Sequence, residues 1–119
     1  MRIVFLNPSG ELGGAETALL EMLAALREAR PAWTLSLVAS APGPLLERTS
    51  RLGIPSVPLT FPPALARLGE WGRRGSFIAR AQLGLAVAGA AWPVLTYGSK
   101  LRRHLATIDP DVVHTNGLK

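Results

Sequence analysis

The stretch Arg2-Ile3-Val4-Phe5-Leu6-Asn7, followed by Pro8-Ser9-Gly10-Glu11-Leu12-Gly13-Gly14-Ala15-Glu16, decides the fold class of this chain. Its first part is a short, continuous apolar run, which is typical of a strand covered on both faces of a parallel sheet. Its second part is a glycine-rich loop that leads directly into an amphipathic helix. A buried strand, a glycine loop and a helix in this order predict the first unit of a Rossmann-like α/β fold.

The rest of the chain alternates between strands and helices in the way that this fold class requires. Strand patterns recur at residues 34–39, 56–59 and 112–114. Helical patterns cover residues 15–30, 44–52, 76–92 and 97–107, with Pro93 ending or kinking the third of them. Pro55 and Pro58 favour an edge position for the third strand. We therefore expect a parallel sheet with flanking helices, right-handed crossovers and the first strand at its centre.

Length and composition restrict the class of protein. The 119 residues fit one domain, and a hydrophobic fraction of 48% is sufficient for a packed core. There is no cysteine, which excludes a disulfide framework and a thiolate metal site and fits a reducing compartment. Because the chain begins with a strand pattern rather than a long apolar leader, we expect no secretory signal and a cytoplasmic location.

The basic residues are concentrated in one region. Residues 64–104 contain seven of the 13 basic residues but one of the eight acidic residues, and the whole chain has a formal net charge of +5. Two interpretations remain open: a solvated helix face, or a surface that docks on anionic lipid or another anionic partner. We expect no nucleic-acid partner. Residues 81–99 carry no charge, but their glycines and Pro93 favour a helix buried against the sheet over a membrane span.

Gly13 and Gly14 stand at a helix N-terminus directly after the first strand. Free backbone N–H groups and the absence of Cβ atoms suit such a position to a phosphate or a substrate oxyanion. The alternative is a tight turn in which the glycines serve geometry alone. A dinucleotide site is excluded, because the glycines at 10, 13 and 14 do not have the required spacing and the second strand ends without a carboxylate.

Two motifs resemble those of a known enzyme family. Gly13-Gly14-Ala15-Glu16 is similar to the Gly-Gly-Ala-Glu signature of family 4 glycosyltransferases, and Asp109-Pro110-Asp111-Val112-Val113-His114 is similar to their Pro-Asp-(Val/Ile)-(Val/Ile)-His strand. Both lie where their N-terminal domain would place them. The resemblance implies the GT-B fold and transfer of a sugar, with retention of configuration, from a nucleotide-diphosphate sugar to an acceptor glycan, lipid or small molecule.

The resemblance also implies which parts are missing. In this family a C-terminal domain binds most of the nucleotide, so residues 1–119 would be an incomplete acceptor-side domain that is inactive by itself. No metal and no cofactor are expected beyond the donor sugar nucleotide. The alternative hypothesis is a non-catalytic α/β binding or interaction module, whose basic helical region faces a membrane or a partner.

The resemblance assigns roles to five residues. Gly13 and Gly14 would approach the donor phosphate or sugar, whereas Glu16, His114 and Asn116 would position the acceptor or sugar. Asn116 stands where many members have a second histidine, and an amide cannot carry a proton as imidazole does. No catalytic residue is assigned. Two plainer alternatives stay open: Glu16 as a residue that stabilises the helix dipole, and His114 as a half-buried histidine at a strand end.

Overall fold

A computed structural model describes residues 1–62 and 77–117 of the chain, and for residues 77–88 and 90 it describes the backbone alone. The elements follow in the order β1 Arg2–Asn7, α1 Gly14–Ala29, β2 Thr34–Ala39, α2 Pro44–Arg51, β3 Ser56–Pro58, α3 Phe77–Ile108 and β4 Val112–Thr115. The predicted connection at residues 60–75, with Arg67, Trp71, Arg73 and Arg74, lies almost entirely outside the described residues.

The four strands form one parallel sheet in the order β3-β2-β1-β4. The Rossmann-like α/β class and the central position of β1 are therefore confirmed. The edge position expected for β3 is confirmed as well, since β3 pairs with β2 alone, and Pro58 lies within this edge strand. Because all strands run in one direction, their carboxyl ends meet at a single edge of the sheet.

The core lies between one face of the sheet and the first two helices. β1 contributes Ile3 and Phe5, and α1 contributes Leu19 and Leu23, which are at most 1% exposed. Burying a leucine side chain to this degree contributes about 1.5 to 3 kcal/mol before the entropy of ordering is subtracted. The remaining buried members of this cluster are Leu35, Leu37, Leu45 and Ile54.

Hydrogen bonds join the turn before β4 to the start of β1. The carboxylate of Asp111 accepts a hydrogen bond from the backbone N–H of Arg2 at 2.6 Å. The guanidinium of Arg2 meets Asp109 at 2.9 Å and the carbonyl oxygen of Ile108 at 3.2 Å. Asp109 has a positive φ of 50°, a conformation that Asp tolerates better than most residues. The Asp-Pro-Asp sequence therefore has a structural role here, which is to set β4 beside β1.

The expectation that a helix ends at Pro93 and a separate one follows it was wrong, whereas the alternative of a kink at Pro93 stays a prediction. One helix, α3, runs through Phe77–Ile108 with Pro93 inside it. A proline removes one backbone donor and costs a helix about 3 kcal/mol, but ending the helix there would leave several carbonyl groups of the last turn without partners.

Within residues 1–62 and 77–117, no helix combines the length and the hydropathy that crossing a bilayer requires.

The chain divides into two compact units, of which the first combines Met1–Thr60 with His104–Lys119 and contains the whole sheet. The second unit is Phe61–Arg103. Within it, the ring of Tyr97 stands edge-on to that of Phe61, with 5.1 Å between the ring centroids. Burial raises the pKa of Tyr97 above its usual value.

We expect Gly10→Ala to lower the free energy of unfolding by about 1 to 3 kcal/mol. Gly10 is buried, and a Cβ atom there would lie 2.6 Å from the backbone oxygen of Pro42, which cannot move without displacing the β2–α2 loop. Gly14→Ala is the matched control, because nothing described lies within 4 Å of its Cβ position. Urea unfolding of both variants checks this expectation, and a Gly10→Ala variant as stable as the wild type contradicts it.

Candidate functional site

The topology places the candidate site where the chain reverses its direction of strand addition. From β1 the chain moves to β2 and β3 on one side of the sheet, and later to β4 on the other. Open parallel sheets bind ligands at such a switch point, outside the carboxyl ends of the strands. Here the switch point lies between the end of β1 at Asn7 and the end of β4 at Thr115.

The glycine loop is held in place by a buried carboxylate. Gly13 is the N-cap of α1 and has an extended backbone. Glu16, in the first turn of the helix, is only 6% exposed, and its Oε2 accepts a hydrogen bond from the Gly13 N–H at 3.1 Å. This is the bond of a capping box in which the side chain of the third helical residue accepts from the backbone N–H of the N-cap residue. One of the backbone donors at this helix end is therefore already bound to a side chain of the protein.

Gly14 is not required by the turn. Its φ lies outside the left-handed region, and among the described residues no atom lies within 4 Å of the position that a Cβ atom would occupy. The interpretation of Gly-Gly as a tight turn therefore does not explain Gly14. Gly13 differs, since a Cβ atom on it would stand 2.8 Å from Glu16 Oε2.

Asn7 links the glycine loop to the end of β4, and the sequence analysis had missed it. Its side chain is 4% exposed. Asn7 Nδ2 donates to the Ser9 carbonyl oxygen at 2.6 Å and to Glu16 Oε1 at 3.4 Å. Asn7 Oδ1 accepts from Asn116 Nδ2 at 2.8 Å. The signal that could have revealed Asn7 is its place: a polar side chain that ends a buried central strand at the ligand-binding edge.

Asn116 directly follows β4 and is half-buried. Its backbone N–H donates to the Leu6 carbonyl oxygen at 2.8 Å, which extends the β1–β4 pairing by one residue. Its side-chain Nδ2 also lies 3.4 Å from the Ala15 carbonyl oxygen in the first turn of α1. Ala15 belongs to the first sequence motif and Asn116 follows the second by two residues, so the end of β4 lies beside the glycine loop.

His114 lies outside this network of hydrogen bonds. It stands opposite Phe5 in the β1–β4 register, and the two rings are 5.3 Å apart at an interplanar angle of 55°. All four residues of β4 are exposed, so the alternative of a half-buried histidine was wrong about burial. Side chains of a strand point to the faces of its sheet, and the buried core cluster of the described residues contains no member of β4. The contact that the structure gives His114 is packing against Phe5.

The site presents groups that can form hydrogen bonds with a ligand. In the part of the chain that the structure describes, no group of three or more histidine, aspartate or glutamate side chains could hold a metal ion. The glycine loop, Glu16, Asn7 and Asn116 offer amide, carboxylate and backbone groups, and none of these side chains is a ready nucleophile or proton carrier except the Glu16 carboxyl group.

The chain matches no protein-family model, no curated protein and no solved structure.

We expect Asn7→Ala to lower the free energy of unfolding by about 1 to 3 kcal/mol, because it removes the hydrogen bonds of Asn7 to the Ser9 carbonyl oxygen and to the Asn116 amide. A double-mutant cycle with Asn116→Ala should give a coupling energy of about 0.5 to 3 kcal/mol. Ser50→Ala is the control partner, since Ser50 bonds Ser56 and shares no partner with Asn7. Additive effects of Asn7→Ala and Asn116→Ala would contradict the proposed link.

Proposed function

We propose that this chain is the acceptor-side half of a retaining glycosyltransferase, which moves a sugar from a nucleotide-diphosphate sugar to an acceptor. The observation that carries the proposal is the meeting of the two motifs at the switch point of the sheet, where Asn116 Nδ2 lies 3.4 Å from the carbonyl oxygen of Ala15. Two motifs that resemble the same family and come together at a ligand-binding edge support a shared function more strongly than either motif does alone.

In this proposal the side chains of the site position the sugar. Gly14 leaves room for a ligand beside the start of α1, and Asn116 contributes an amide at the end of β4. Glu16 and Asn7 hold these two elements in register. A further domain supplies the nucleotide site and closes the cleft in which transfer occurs, without a metal. His114 flanks the site from β4.

A second candidate function rests on a different surface, the exposed stripe of α3. Trp92 is 75% exposed and Leu95 is 65% exposed. At the spacing of an α-helix, both lie on the same face as Arg102 and Arg103, which are also exposed. Aromatic and aliphatic side chains followed by arginines suit the surface of an anionic membrane. This stripe supports a peripheral, cytoplasmic location and is compatible with either a transferase or a docking module.

We expect Gly14→Val to impair sugar transfer while leaving the fold intact. The variant is to be made in the longer enzyme that the proposal requires. Valine would fill the space beside the helix end, and the loss of one preorganised interaction in comparable sites costs about 3 kcal/mol, or roughly a hundredfold in rate. The transfer rate and the melting temperature are measured on the same preparation. A stable variant with unchanged transfer would remove the glycine loop from the active site.

We expect the α3 stripe to bind vesicles that contain anionic lipid. Each arginine near such a surface contributes about 1 kcal/mol, so Arg102→Gln with Arg103→Gln should weaken co-sedimentation roughly thirtyfold. Arg48→Gln with Arg51→Gln, on α2, is the control and should change it little. Binding that depends neither on the anionic lipid content nor on the salt concentration would count against this role.

A further inference from the structure

We draw no further inference here: the strongest candidate, the edge strand β4 with the exposed side chains of Val112 and Val113, carries none, because nothing in the part of the chain that the structure describes shows what covers it.

Discussion

The pairing of β1 with β4 is the constraint on which the rest of this structure depends. It joins segments about 110 residues apart, and closing a parallel connection of that length is entropically costly. Arg2 offsets part of this cost by binding Asp111 through its backbone and Asp109 through its side chain. Once β4 lies beside β1, its carboxyl end is brought to the glycine loop, and the contacts of Asn116 with Asn7 and Ala15 depend on that placement.

The site itself is organised by a buried amide. Asn7 ends the central strand and uses Nδ2 and Oδ1 together, toward Ser9, Glu16 and Asn116. A buried polar group of this kind is costly unless every partner is present, so the loop, the helix and the last strand are held in one arrangement. The two asparagines therefore define the polarity of the site edge as well as its shape.

The polarity of the site bears on the comparison with glycosyltransferases. The resemblance in sequence directs attention to the glycines as a phosphate cradle, because glycine at a helix start removes Cβ atoms. Glu16 Oε2 accepts the Gly13 N–H, so one backbone donor of this helix end is already bound within the protein.

The sequence by itself determined the class of the fold and most of its elements. The apolar run of β1, the glycine loop, the helical pattern of α1 and the Pro-Asp turn before β4 are local signals, and local signals suffice to predict elements and their alternation. The Pro93 prediction failed because the local rule for proline counts one lost hydrogen bond, whereas the long helix that retains it keeps many others.

Only the tertiary structure decided what surrounds each polar group. The sequence left Glu16 either to position a ligand or to stabilise the helix dipole, and only the structure shows it buried in contact with Gly13 and Asn7. Asn7 had no signal beyond its position at a strand end, and its partner Asn116 lies 109 residues away. The physical reason is that hydrogen-bond partners and burial are properties of residues brought together by sheet pairing, and spacing along the chain does not contain them.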